Sequence, residues 1–472
     1  MNISEKIKKR ALILIFILSG VAVLFMPAAG AQEFKPLPAI LPEDRVLIIA
    51  PHPDDETIAA AGVIQNAVKN KSQLRIVWMT NGDSNEYAFL LYNKQPVLKR
   101  EAVIKMGKLR RKEAIEAMRV LGVREDRLTF LGYPDYGTMT IFKEYWGESG
   151  PLKSVLTRVR NVPYSDSPSY RKSYVGDNIL EDLTNLLRNF KPTKIFVTLS
   201  SDFNVDHQAA FLFLQVAAWA TQPDIGTPEI YSYLIHSPRW PSPKGYNPEL
   251  SLEPPSSFKS ANLQWYSLDL KQEQIELKRQ AVLKYESQMY NPGYLLAFAR
   301  KNEMFAQYPV IKLNDSLGNV IDWESIGKEA RLESRIFDED YTGGKTIDGV
   351  LYAKTKQSLH VKIKSPTYKS RLFGVNLFLY GYRKDRSFSE MPKLRFHFLR
   401  PNKIVIYDKR HPVMMEEVRY EYKGQEIEFS IPLELLDHPD FIMTSVSSWL
   451  RGIPQETTAW RILELPDARE GH

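Results

Sequence analysis

Between residues 43 and 236, short apolar runs alternate with longer stretches of helical periodicity, and this alternation restricts the fold more than any other feature of the chain. Strands are expected at Val46–Ala50, Leu74–Thr80, Leu128–Gly132, Lys194–Ser200 and Glu229–His236. They are rich in Val, Ile, Leu and aromatic residues, as strands buried on both faces must be. Helices are expected at about 56–70, 98–121, 177–190 and 207–221. The pattern predicts an α/β fold with a Rossmann-like, mostly parallel sheet flanked by helices. In such sheets ligands bind outside the carboxyl ends of the strands, so the chemistry is sought in the segments that follow them.

The chain has 472 residues, more than one ordinary core takes up, and a second unit is expected. Beyond about residue 315, runs such as Leu359–Ile363, Gly374–Tyr380, Leu394–Leu399 and Ile427–Ile431 alternate with a period of two. Turn-forming residues separate them, which predicts a C-terminal all-β, sandwich-like unit. Residues 134–176 form a long connection carrying Trp146, Tyr164, Tyr170 and Tyr174, either a functional lid or a structural excursion. Residues 238–260 read as a surface loop and 267–290 as helical. The expected organisation is a signal segment at 1–31, an α/β unit at 32–315 and a β-rich accessory unit at 316–472.

The signal segment is expected from Lys6, Lys8, Lys9 and Arg10, followed by an apolar run from Ala11 to Met26 and the small residues Ala29-Gly30-Ala31. Sixteen apolar residues are fewer than the roughly 20 that span a bilayer. The expectation is therefore a cleaved, secreted or periplasmic protein beginning at Gln32, without stable membrane insertion. Cleavage removes four basic residues and one acid, lowering the net charge from +7 to +4. So mild a surplus does not mark a nucleic-acid partner. With no cysteine, there is neither a disulfide framework nor a thiolate ligand, so any metal must be held by His and carboxylates.

Two clusters follow strands. After the first comes Pro51-His52-Pro53-Asp54-Asp55-Glu56, then the small residues Ala59 to Gly62. After the fourth come Asp202, Asn204, Asp206 and His207. Each also reads as a strand-to-helix turn with an Asp as N-cap, Asp206 in the second case. Yet only eight histidines occur in the chain, and two of them stand at equivalent edges of the sheet. One His from each cluster with one carboxylate makes the two-histidine, one-carboxylate set of catalytic zinc.

These motifs resemble the PIG-L/LmbE family of zinc-dependent de-N-acetylases over roughly residues 43–295. Thr80-Asn81-Gly82, Arg110 with Glu113, Leu121-Gly122-Val123 and Leu131-Gly132-Tyr133-Pro134-Asp135 agree with it, as do Lys278, Ala281, Ser287 and Gln288. The resemblance implies that His52, Asp55 and His207 bind one zinc or another divalent metal, and that Asp54 is the general base. It implies that Arg110 and Asp135 contact sugar hydroxyls, with Asp206 orienting a ligand or the base. The division suits the chemistry: zinc lowers the pKa of a bound water to about 7, within reach of a neighbouring carboxylate. Two departures stand out. Asn204 occupies a position where many relatives have a His, and its amide donates a hydrogen bond but shuttles no proton. Tyr285 stands where many have a second His. His236 is a candidate substitute acid, weighed against a structural role.

The expected function is thus an exported metal-dependent hydrolase that removes acetyl from N-acetylated amino sugars, as free sugar or glycan. The alternatives are a zinc amidase for another acyl group and a catalytically silent carbohydrate-binding protein. A dinucleotide enzyme is disfavoured, because Pro-Asp-Asp stands where a glycine run would cradle phosphate.

Overall fold

The computed structural model describes residues 34–84, 99–147, 150–258, 262–316, 321–326, 331–332, 334–335, 346–365, 373–399 and 403–466; the expected signal segment lies outside them. The α/β part begins with β1 (Arg45–Ala50), α1 (Asp55–Lys69), β2 (Gln73–Thr80), α2 (Arg100–Val120) and β3 (Leu128–Tyr133). After a short α3 (Thr138–Glu144) come α4 (Gly176–Phe190), β4 (Lys194–Thr198), α5 (Val205–Ile225) and β5 (Glu229–Tyr233). The last strands are β6 (Gln264–Asp269) and β7 (Asn302–Gln307), with α6 (Gln272–Val282) and α7 (Pro292–Leu296) between them.

Across the sheet the order runs β6-β7-β5-β4-β1-β2-β3, parallel from β5 to β3 and antiparallel where β7 meets β5 and β6. Each element follows from its pattern. Val46 to Ala50 are fully buried, as helices on both faces require. Ile179, Leu183 and Leu187 recur every four residues and give α4 one buried stripe. In α5 the buried residues lie on almost every side, from Ala209 to Ala218, because helix α5 is covered from both sides. Chain order reverses between β1 and β4, so the loops leaving these neighbours diverge and open a crevice at the carboxyl edge. Both clusters singled out in the sequence emerge there.

One expectation is corrected. The segment 267–290 is not one helix: its start belongs to β6, which pairs with β7 from Gln264↔Gln307 to Asp269↔Asn302. Pairing with β7 overrides the local helical pattern, and α6 begins only after Lys271, whose backbone N–H donates to Gln274 Oε1 at 3.2 Å. The long connection 134–176, read from sequence as a lid or a structural excursion, contains α3. Phe142 and Trp146 from this region enter the main core.

The C-terminal part is a sandwich. One sheet includes 349–354, 358–364, 426–432 and 419–423; the other includes 373–382, 393–399, 403–408, 441–450, 453–458 and 461–464. Leu377 and Leu379 face the sandwich core with Val361, Ile363, Phe429 and Ile431. Their neighbours Phe378, Tyr380 and Tyr382 point the opposite way and join Phe142, Trp146 and Phe213 of the α/β part. The period of two thus sends one strand's side chains into two cores. Ser200, just beyond β4, is tied to the same surface, its hydroxyl donating to Trp460 O at 2.7 Å. Among the described residues, no helix is long and apolar enough to cross a membrane.

Candidate metal centre and its cavity

Three donor atoms converge where β1 and β4 end. His52 Nδ1 lies 3.2 Å from Asp55 Oδ2, His207 Nε2 lies 3.1 Å from the same oxygen, and the two imidazole nitrogens are 3.3 Å apart. All three side chains are buried. Tetrahedral zinc with bonds near 2.0–2.1 Å separates its ligands by about 3.3 Å, so the spacing fits one ion. Local structure explains the approach. The turn Pro51–Asp54 is closed by His52 N–H donating to Asp55 Oδ2 at 3.0 Å, and Thr80 anchors Pro51 O through its N–H and hydroxyl. His207 sits in the first turns of α5, whose N-cap is Asn204: its Oδ1 accepts from Asp206 N–H at 2.8 Å. Asp206, the cap expected from sequence, lies inside the helix instead.

Each imidazole is held on its far side by a carboxylate. His207 Nδ1 faces Asp202 Oδ2 at 3.3 Å, and His52 Nε2 lies 3.1 Å from Asp135 Oδ1 and 3.5 Å from Asp206 Oδ2. Such outer partners fix the tautomer and aim of a metal-binding His. Asp202 is fully buried and also accepts from Asn204, Ile235 and His236 N–H at 2.9 Å each. Sequence marked Asp202 as part of its cluster without a role, because Ile235 and His236 come near it only through the β4–β5 pairing. Asp206 binds the loop before α3, accepting from Tyr136 N–H at 2.5 Å and from the Thr138 N–H and hydroxyl.

Asp54 is a cavity carboxylate outside the three-atom group. Its backbone has φ of 120°, a strained conformation for a residue with a Cβ. Arg110 holds it, Nη2 donating to Asp54 Oδ2 at 3.1 Å and to Pro53 O at 2.7 Å. Nη1 of Arg110 donates to Gly82 O at 2.8 Å, and a Cβ at position 82 would stand 2.0 Å from that nitrogen, so glycine is required there. Arg110 and Asp135 both line the cavity; Arg110 also bonds Asp54, Pro53 O and Gly82 O, while Asp135 faces His52 and accepts from Ser84 N–H at 2.9 Å. Tyr285 is completely buried away from the cavity; its hydroxyl bonds Glu56 Oε1 and Thr57 Oγ1 and steadies the first turn of α1.

The cavity over the group has a volume of about 330 Å³ and is lined by His52, Asp54, Asp55, Asn204, His236 and Tyr294 among others. Tyr136 and Tyr290, both exposed, stand in its wall and were not anticipated. They lie on loops, where periodicity carries no signal.

Electrostatics set the balance. Burial pushes the Asp54 carboxyl up to about 7, helped by Asp55 and Glu56 and opposed by Arg110. Burial pulls the His207 imidazole down, but Asp202 and Asp55 outweigh it and raise the group to about 9. His52 is likewise raised against burial, chiefly by Asp135. For His236 burial wins and lowers the pKa to about 4. The buried Asp55, Asp135, Asp202 and Asp206 surround the two imidazoles and favour positive charge between them, whether a proton or a metal ion. A divalent cation held by His52, Asp55 and His207 fits both the charge and the donor spacing.

Fold and site together define an α/β protein with a buried two-histidine, one-carboxylate group that could hold a metal ion, at the switch point of a parallel sheet. Residues 47–218 match the family PIG-L: GlcNAc-PI de-N-acetylase. A glucosamine-6-phosphate deaminase-like protein of Bacteroides thetaiotaomicron is 23% identical over 278 residues, 56% of this chain and 38% of that protein. The chain thus spans well under half the length of that curated relative. Among solved structures, the N,N'-diacetylchitobiose deacetylase of Pyrococcus horikoshii is 20% identical, covering 52% of this chain and 70% of its own with a TM-score of 0.31. A 4-carboxy-2-hydroxymuconate hydratase from Pseudomonas putida is 16% identical, covering 58% and 99% with a TM-score of 0.36. Similarity at this level is too distant to carry a role from one protein to another.

Proposed function

We propose that the chain is a zinc-dependent N-deacetylase acting on N-acetylated amino sugars of the N-acetylglucosamine type. The observation that carries this reading is the convergence of His52 Nδ1, Asp55 Oδ2 and His207 Nε2 within 3.1–3.3 Å, beside Asp54 in a polar cavity. His52, Asp55 and His207 would hold the ion. When bound, it supplies Lewis acidity for the acyl carbonyl and for water.

The remaining work falls to this chain's own side chains. Asp54, which is not a ligand, takes a proton from water as the water oxygen bonds to the acyl carbon. As the C–N bond breaks, the same carboxyl returns that proton to the departing amine, so acetate and a free amino sugar result. Asn204 keeps its Nδ2 for the carbonyl oxygen, because its Oδ1 is used in capping α5. The PIG-L match over 47–218 supports the N-acetylated amino sugar as substrate. Purified chain incubated with zinc should release acetate from N-acetylglucosamine or its oligomers, and a chelator should stop it. No acetate from any N-acetylated amino sugar, with metal bound, overturns the reading.

Export is part of the same proposal. The basic, apolar and small-residue order of residues 1–31 supports cleavage after Ala31. Mass spectrometry of the native protein with an intact Met1 or Asn2 terminus rejects it.

A further inference from the structure

We infer that His236 is a fixed hydrogen-bond acceptor in the cavity, with its proton on Nδ1, and that together with Asn204 it reads the two polar atoms of a scissile amide. The identity of the ligand rests on the N-deacetylase reading; the tautomer rests on the hydrogen-bond network alone.

The key group is the Tyr294 hydroxyl, 2.8 Å from Ile235 O and 3.1 Å from His236 Nδ1. A phenol has one proton, and a carbonyl oxygen only accepts. The proton therefore goes to Ile235 O, and the phenol oxygen must accept from an Nδ1–H of His236. The opposite arrangement sets two oxygen lone pairs against each other at 2.8 Å with no proton between them. A neutral imidazole with its proton on Nδ1 offers a lone pair at Nε2. The residue is held in place: its backbone N–H donates to Asp202 Oδ2, the ring lies parallel to that of Tyr294, and its edge meets His207 with centroids 4.7 Å apart.

Asn204 is constrained in the opposite sense. Its Oδ1 is occupied by Asp206 N–H, so the group it presents to the cavity is the donor Nδ2. Asp202 orients both residues, accepting Asn204 N–H on one oxygen and His236 N–H on the other. Phe203 N–H donates to His236 O at 3.0 Å, which lays the two backbones side by side. One carboxylate thereby ties together the backbones that carry a donor and an acceptor lining the same cavity. An N-acyl group has a carbonyl to accept and an N–H to donate. An O-acyl ester has no N–H, so the acceptor separates amide from ester. His236 in this tautomer directs no proton into the cavity, and its role differs from that of an acid.

The test uses the full chain labelled with ¹⁵N-histidine, zinc-loaded and zinc-free, with the His236 signals assigned by their loss in His236→Gln. Long-range ¹H–¹⁵N spectra should show a protonated Nδ1 and a bare Nε2, and Tyr294→Phe should make an Nε2–H form appear. An Nε2–H form in the unmodified chain, or a pattern indifferent to Tyr294→Phe, overturns the inference. Kinetically, His236→Leu should lower kcat/KM for an N-acetylated hexosamine by about 10–100-fold, as for a buried N–H left unpaired. The matching O-acetyl ester should change little. His236→Gln, which puts an amide oxygen near the Nε2 position, should recover most of the loss. Equal losses on amide and ester, or none, overturn the pairing with the amide. A chain that releases no acetate from any amino sugar overturns the N-deacetylase reading, while the spectrum still decides the tautomer.

Discussion

Arg110 reaches Asp54 and the peptide beside it with a single nitrogen: Nη2 donates to Asp54 Oδ2 at 3.1 Å and to Pro53 O at 2.7 Å. The guanidinium is buried and is also fixed by Gly82 O, so it holds Asp54 in a backbone conformation, φ 120°, that the residue does not favour alone. Arg110→Met should leave the metal in place and lower kcat roughly 10–100-fold, because a misplaced base costs rate steeply. Full turnover in a metal-replete Arg110→Met chain contradicts this.

Asp54→Asn keeps the shape and the Arg110 contact through its amide oxygen but removes the proton acceptor. Activity should fall by about 10²–10⁴ with metal content unchanged. Acetate release with elemental analysis on the same sample decides it; equal rates rule out Asp54 as the base.

His52→Ala and His207→Ala each delete a nitrogen from the three-atom group. Elemental analysis after dialysis should find about one zinc per unmodified chain and none in either variant. Equal metal in all three places the ion elsewhere.

Asp202→Asn tests the support behind His207. The carboxylate faces His207 Nδ1 and accepts three backbone N–H groups, and an amide replaces one acceptor oxygen with a donor. Zinc affinity should drop about 10–100-fold, the usual cost of losing an outer partner, as read by competition with a chelator. An unchanged affinity excludes that support.

Asp83 supplies a pH dependence of stability. Burial, with Asp135 nearby, pushes its carboxyl from 3.8 up to about 7, although the Tyr164 hydroxyl donates to it. Between those values the folded chain binds more protons than the unfolded one, so stability is present below pH 4 and is lost as pH rises through 7. Asp83→Asn should remove this slope and raise stability above pH 7, by an amount on the order of a few kcal/mol. Denaturant midpoints at pH 5 and pH 8 measure it; an unchanged difference between them refutes the assignment.

The sequence by itself determined the α/β layer and its chemistry-bearing edge. Runs such as Val46 to Ala50 are apolar throughout because both their faces are covered, and a period of two marked the sandwich strands around Leu377 and Phe429. His52, Asp55 and His207 were legible as candidates because donors of the right kind directly follow β1 and β4. Local pattern misled where pairing with a distant strand decides the outcome, as at 267–269, which β7 draws into the sheet. It was silent on the partners of the imidazoles. Asp135 comes to His52, Asp202 to Ile235 and His236, and Tyr294 to Ile235 O only once strand order has folded distant loops onto one crevice. Which nitrogen of His236 carries its proton is likewise decided by a phenol 58 residues away. Periodicity records burial along one element, whereas hydrogen-bond geometry is set between elements, and only the tertiary structure holds that information.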